Sequence, residues 1–390
     1  MIKKKIVSDT LFITVGQLLV FAAFFFFKSK LAKTFSVETF GDFNLWLSTV
    51  NYLIIFSGIG LGNSLIYYSN KNNYLITDLA KTNIALYSVF ALIAFIVQIF
   101  FFHISINYSL ALLTVFVSLL FGVIESKLSV EGHFYKISIV NFLKAILIAI
   151  TSILITSSFK LEDIILVYFL ILLISLLFFI TFFEIGMNWL KKFKFISFKK
   201  YYFYGSKSLA LNLMGQTLYV SDIFLLSYLQ GSRSVGFYTA AAAVSRIVWF
   251  FTDSLGKVIF PLYVKGDKIK KITLFSILIS LAILGIFLIC YLLFGSFFIT
   301  TFFGDKYLEI NFSIIVLTIG GAGMIIYKII SRENASINLW RPMYIVLILS
   351  IATNLILNYI LIPIYDYNGA ALASFVSYFI CGFLILIIRK

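Results

Sequence analysis

The stretch LILNYILIPIYDYNGAALAS, Leu355 to Ser374, decides how the chain is read. A long apolar run reaches Pro363. Turn-forming positions follow, and a second apolar run begins on the small residues Gly369, Ala370 and Ala371. A residue before proline avoids helical geometry, so the first run ends there. Asp366 and Asn368 are placed to accept hydrogen bonds from the free N–H groups of the next helix. Two apolar helices joined by a tight corner are thus expected, with no chemistry assigned to the corner itself.

The rest of the chain repeats the pattern. Hydrophobic residues make up 62% and charged residues 12%, with a mean hydropathy of +1.05. A soluble domain carries about 25% charged residues, so one water-facing core cannot bury this much apolar surface. A bilayer is the alternative solvent, crossed by helices of about 20 apolar residues. About twelve such stretches follow the hydropathy criterion. They lie roughly at 9–28, 43–68, 80–103, 106–125, 137–158, 163–186, 205–229, 235–262, 272–299, 311–330, 342–362 and 369–388. The fold class is all-α: a polytopic membrane protein of two six-helix lobes around a central cavity. The charged start and apolar run at the N-terminus lack a clear small-residue cleavage site, so they read as a retained first span.

The net charge of +15 is mostly a statement about topology. With the N-terminus in the cytoplasm, the outer segments hold only Lys28, Lys30, Lys33, Lys160, Arg233 and Lys306 of the 31 basic residues. The cytoplasmic segments hold most of the others, Lys328 and Arg332 among them. That asymmetry follows the positive-inside rule and puts both termini in the cytoplasm. Nucleic acid is not expected as a partner. The basic, aromatic segment 188–204 reads as a cytoplasmic linker at headgroup level. It divides an N-terminal lobe, 1–187, from a C-terminal lobe, 205–390. The lobes echo each other. Gly16–Gln17 with Phe40-Gly41-Asp42-Phe43 is matched by Gly215–Gln216 with Val235-Gly236-Phe237-Tyr238. Duplicated six-span units place a cavity at the repeat interface, a transporter layout.

Ionisable groups inside spans cost several kcal/mol and mark functional positions by default. In the eighth span Arg246, Phe250, Asp253 and Lys257 fall on one helical stripe, because side chains three and four apart share a face. Arg246 sits near the midplane, with Asp253 about 10 Å further along. The seventh span carries Ser208, Asn212, Gly215, Tyr219 and Asp222, with Gln216 beside them and Lys207 at its cytoplasmic mouth; the first carries Thr10, Thr14 and Gln17, and the fifth carries Lys144. One reading is an internal ion pair, Arg246 with Asp222 or Asp253, pinning helices. The other is a cationic cavity in which Arg246, Lys144, Lys207 and Lys257 hold an anion. Arginine suits phosphate because its fork meets two oxygens at once. Gln17, Asn212, Gln216 and Tyr219 would be its polar lining. Asp222 or Asp253 could carry a coupling proton or sodium ion. The small residues Gly320, Gly321, Ala322 and Gly323 read as helix-packing positions.

The sequence contains no GxxxxGKS/T, GxSxG or HExxH pattern, so no enzyme and no ATP-driven pump is expected. Cys290 and Cys381, and likewise His103 and His133, are isolated. Neither pair has metal-binding spacing, and no metal or other cofactor is expected.

The pattern at Asn358-x-x-Leu-Ile-Pro-x-Tyr-x-x-x-Gly-Ala-Ala-x-Ala-Ser374 resembles the junction of the eleventh and twelfth spans in polysaccharide-unit flippases. These are the O-antigen, or Wzx-type, translocases of the multidrug/oligosaccharidyl-lipid/polysaccharide exporter superfamily. Ser221-Asp222-Ile223 followed by Val235-Gly236-Phe237-Tyr238, Phe40-Gly41-Asp42-Phe43 and Phe303-Gly304-Asp305-Lys306-Tyr307 resemble further junctions of that family. The likeness covers the whole chain. It implies two lobes working by alternating access. The implied cargo is a short oligosaccharide on undecaprenyl pyrophosphate, moved to the outer leaflet of a bacterial inner membrane. The implied partners are that lipid-linked substrate, membrane lipids and a polymerase or ligase of the same pathway. Two alternatives stay open. A cation-coupled multidrug exporter would place acids in its cavity. A peptidoglycan-precursor flippase would carry two more spans.

Overall fold

The structure, a computed structural model, describes residues 2–58, 84–85, 87–89, 106–182, 198–265, 269–337 and 339–388. Among these residues the secondary structure is helical, with no strand. The helices are α1 (Ile2–Thr34), α2 (Val37–Gly58), α3 (Ile106–Val130), α4 (Phe134–Leu154), α5 (Leu161–Phe182), α6 (Phe198–Leu229), α7 (Ser232–Ser245), α8 (Ile247–Lys265), α9 (Ile269–Phe302), α10 (Asn311–Ser336) and α11 (Arg341–Ile388). Eight described helices are long and apolar enough to cross a membrane, and the bent pair α7–α8 makes a ninth. Most of the third expected span and most of the linker lie outside the described residues. Lipid-facing sides are visible directly: on α9, Phe275, Ile289, Leu293 and Phe297 are exposed. The chain is a multi-pass membrane protein.

Local chemistry sets the helix ends. Ser36 Oγ accepts from the Thr39 amide at 3.2 Å and so caps the start of α2. Glu38 follows in the first turn, where its own backbone amide holds the carboxyl below the usual range. Asp163 accepts from the Lys160 amide at 2.8 Å at the start of α5.

The expected corner after Pro363 is present but takes another form. Helical geometry runs past Pro363 and breaks at Asp366, whose φ of 53° and ψ of −136° interrupt α11. Asn368 Oδ1 accepts from Ser313 Oγ of α10 at 2.7 Å. Asp366 Oδ1 is buried without a hydrogen-bond partner. Neither contact is the expected N-cap. Gly369 is required at the corner, because a Cβ there would run into the Leu361 carbonyl.

The described chain forms two compact units. The first joins Met1–Lys28 to Trp46–Leu213, and the second joins Ser29–Leu45 to Met214–Lys390. Ser29–Leu45 packs with the second unit. In the first unit α3, α4 and α5 enclose Ile124, Leu128, Ile137, Val140, Leu176 and Phe179. In the second, α8, α9 and α10 enclose Val248, Ile259, Tyr263, Leu284, Ile325 and Ile329.

The second unit also explains why the loose motifs recur. A Cβ on Gly41 would collide with the Ser232 carbonyl, and one on Gly236 with the Val37 carbonyl. The echo between the two glycine motifs is therefore one backbone crossing. Around it Tyr307 packs edge-on against Phe40 (6.0 Å), Phe237 (5.6 Å) and Phe303 (5.9 Å), and Phe237 lies tilted against Tyr367 (5.1 Å). Ser232 Oγ donates to Asp42, Lys306 Nζ to the Phe35 carbonyl, and Ser29 Oγ to the Phe302 carbonyl. Four motifs far apart in sequence thus meet at one end of the unit. The glycines of α10 act as expected: a Cβ on Gly323 would strike the Tyr378 carbonyl, and one on Gly382 would strike Gly323.

Candidate functional site

The eighth span is not one straight helix. It breaks at Arg246, the C-cap of α7, and α8 leaves at 47°. The stripe Arg246–Phe250–Asp253 therefore does not run down a single face, and the Lys257 side chain lies outside the described residues. The bend aims Arg246 back at α6. Its Nη2 donates to the Tyr219 carbonyl at 3.1 Å, and its guanidinium lies over the rings of Tyr219 (5.7 Å) and Trp249 (5.4 Å).

Asp253 meets α10. Its Oδ2 accepts from Lys328 Nζ at 2.8 Å and its Oδ1 from Arg332 Nη2 at 2.9 Å. Lys328 and Arg332 are one turn apart, so both reach the same carboxylate. Arg332 Nη1 also donates to the Thr252 carbonyl at 3.1 Å. Gly256 leaves the room this needs, since a Cβ there would overlap the guanidinium. Lys328 Nζ lies 4.9 Å from the Trp249 ring and 5.9 Å from Tyr219. Arg246 and Lys328 therefore share two aromatic rings. Two cations meet the Asp253 carboxylate, and Arg246 stands on the same rings as Lys328; this grouping of basic side chains is the feature an anion would meet. The side chains are 14% (Lys328), 24% (Arg332) and 45% (Asp253) exposed, so the group is open to a ligand. Lys328 and Arg332 were read in the sequence as flanking cytoplasmic charges. Their spacing of four was the signal that they share a face.

Asp222, on α6, is fully buried and makes no ion pair with Arg246. It is held by neutral donors. Tyr238 of α7 and Ser374 of α11 donate to Oδ2. Asn354 (3.0 Å) and Asn358, both on α11, donate to Oδ1. Ser221 Oγ fixes Asn354 through its Oδ1 at 2.7 Å. Asn358 Oδ1 is buried without a hydrogen-bond partner. The arms of the hairpin, expected to be inert, thus supply Asn358 and Ser374 to a buried carboxylate. Among the described residues no group of three His, Cys, Asp or Glu could hold a metal.

The first unit has a cavity of about 370 Å³. It is lined by Gln17 (α1), Asn51 (α2), Ser118, Phe121 and Glu125 (α3), Asn141 and Lys144 (α4) and Tyr168 (α5), with apolar neighbours. Lys144 Nζ lies 5.7 Å from the Phe121 ring. Tyr168 is braced edge-on by Trp46 at 6.0 Å, whose Nε1 donates to the Asn107 carbonyl at 3.1 Å. Of the remaining expected residues, Lys207 and Asn212 are exposed on α6, Gln216 is half-buried there, and Tyr219 stands in the cation cluster.

No family model matches the chain. It is 30% identical over 207 residues to an uncharacterised membrane protein of Methanocaldococcus jannaschii, covering 45% of this chain. It is 28% identical over 131 residues to a candidate O-antigen transporter of Shigella flexneri, covering 32% of this chain. These matches span 38% and 31% of the two relatives. Solved structures are similar over nearly the whole chain. The lipid II flippase MurJ, in an inward closed conformation, superposes with a TM-score of 0.75 at 17% identity, over 97% of this chain and 87% of that one. The Vibrio cholerae MATE transporter VcmN gives 0.70 at 11% identity, over 98% and 95%. An outward-facing MATE family transporter of the MOP superfamily gives 0.70 at 14% identity, over 100% and 97%. The chain has the polytopic transporter fold shared by these flippases and exporters.

Proposed function

We propose that this protein flips a lipid-linked oligosaccharide, carried on a polyprenyl (undecaprenyl) pyrophosphate, to the outer leaflet of a bacterial inner membrane by alternating access. The observation that carries the reading is the pair Lys328 and Arg332 on the Asp253 carboxylate, with Arg246 beside Lys328 on the rings of Tyr219 and Trp249. An excess of cations next to aromatic rings in an apolar setting favours a polyanion such as pyrophosphate. It disfavours a cationic drug, which would call for an excess of acids. The name of the Shigella relative and the fold of MurJ support the choice of cargo. The asymmetry of lysine and arginine supports cytoplasmic termini. A polymerase or ligase acting on the same glycan is the partner this role requires.

The driving ion is proposed to act at Asp222. The carboxylate accepts from four side chains, Tyr238, Ser374, Asn354 and Asn358, and the Asn358 oxygen is left unpaired. Protonation or sodium binding there would change how α6, α7 and α11 are tied together.

The test is surface polysaccharide in a deletion strain of the source organism, with lipid-linked sugar in the inner leaflet quantified alongside. Loss of surface glycan with accumulation of lipid-linked units supports the reading. Restoration by the wild-type gene, and failure of restoration by an Arg246→Ala, Arg332→Ala double variant at equal protein level, assigns the step to the cluster. Unchanged glycan together with increased sensitivity to cationic dyes would replace this reading with drug export.

A further inference from the structure

The cavity of the first unit differs chemically from the cation cluster of the second. Its lining holds one base, Lys144, and one acid, Glu125, whose formal charges cancel. Around them stand three carboxamides, Gln17, Asn51 and Asn141, and the hydroxyls of Ser118 and Tyr168. This set comes from five different helices. Seven polar side chains lining one space inside a membrane-spanning unit are costly and mark a site by default. The volume of about 370 Å³ lies at the low end of small-molecule sites, which run about 300–1,000 Å³.

Resting on the flippase reading, we propose that this cavity is a subsite for one uncharged sugar ring of the glycan. A pyranose presents neighbouring hydroxyls, each both donor and acceptor. A carboxamide offers an acceptor and two donors, and a carboxylate offers two acceptors. Asn51, Asn141, Gln17 and Glu125 therefore match pairs of hydroxyls. Phe121 and Tyr168 provide flat apolar surface for the C–H face of the ring. Lys144 is balanced by Glu125 and does not add attraction for pyrophosphate. The two chemistries are then divided. The cavity of the first unit then reads the sugar, the part of such a cargo that varies. A residue that reads hydroxyls discriminates strongly, because a ring lacking the hydroxyl leaves buried polar groups unpaired.

The experiment uses the full chain in lipid nanodiscs and two probes. A panel of methyl glycosides, neutral hexosides and N-acetylhexosaminides, is followed by saturation-transfer NMR. Inorganic pyrophosphate is followed by calorimetry. The inference predicts that at least one glycoside binds, and that Asn51→Ala and Glu125→Gln each reduce its signal at least five-fold while the pyrophosphate Kd moves less than two-fold. Arg332→Ala should do the reverse. Retained pyrophosphate binding shows that a cavity variant is folded, and the near-isosteric Glu125→Gln guards against loss of fold. If no glycoside binds, or if binding is indifferent to both cavity variants, the subsite is overturned while the flippase reading stands. If glycosides bind in a cavity-dependent way but pyrophosphate does not bind at all, the subsite stands and the flippase reading fails.

Discussion

Arg332 donates to Asp253 across 2.9 Å, joining α10 to α8 beside the bend at Arg246. The same guanidinium reaches the Thr252 carbonyl. It is therefore held by two acceptors on α8 and fixed in direction. A fixed guanidinium recognises a phosphate better than a mobile one, because less freedom is lost on binding.

Arg332→Ala is expected to weaken pyrophosphate binding at least tenfold and to slow transport by a similar factor. Arg332→Lys keeps the charge but not the fork, and should recover only part of the loss. Calorimetry and a flipping assay on the same preparations check both.

Gly256→Val should weaken anion binding without removing a charge, because a Cβ at this position overlaps the Arg332 guanidinium. A misplacement of about 1 Å can cost on the order of a hundredfold in function. Binding equal to wild type would show that Arg332 has another usable position.

Asn358→Leu should destabilise the protein by about 1–3 kcal/mol, since it removes a donor from the buried Asp222 carboxylate. Asp222→Asn, nearly isosteric, should fold but lose its response to an imposed proton or sodium gradient. Thermal unfolding in detergent reads the first, and gradient-driven transport in vesicles reads the second. Gradient-dependent transport by Asp222→Asn would remove Asp222 from the coupling role.

Gly236→Leu should cost about 1–3 kcal/mol by overpacking the crossing with Val37. By contrast, Glu38→Gln should leave the melting temperature within experimental scatter. Its contact with Arg233 is 3.8 Å between side chains that are 50% and 68% exposed, and such pairs contribute little.

Much of the fold was legible because hydropathy reports the solvent directly. The apolar stretches at 106–125, 137–158 and 163–186 coincide with α3, α4 and α5. The bend at Arg246 was not legible. The run Thr239-Ala-Ala-Ala-Ala-Val-Ser-Arg246 contains no proline or glycine, so local propensity favours continuing the helix, and tertiary contacts with Tyr219 and Trp249 decide otherwise. Lys328 and Arg332 were hidden for a different reason. Basic residues near a span end obey the positive-inside rule whether or not they bind anything. Asn358 and Ser374 sat in the quoted hairpin but were read for turn chemistry, because nothing local shows that both reach a carboxylate on α6. Lys144 stood out as an intramembrane charge, while its cavity partner Glu125, near the end of α3, did not.

The most direct test of the central claim is flipping by purified protein in proteoliposomes loaded with a fluorescent polyprenyl-pyrophosphate oligosaccharide. Transfer is read as the fraction of label that becomes accessible to an outer-leaflet quencher. The account predicts protein-dependent transfer that falls at least tenfold in the Arg246→Ala, Arg332→Ala double variant and is inhibited by added pyrophosphate. Transfer at the wild-type rate in that variant, or none by the wild-type protein under an imposed proton or sodium gradient, would contradict it.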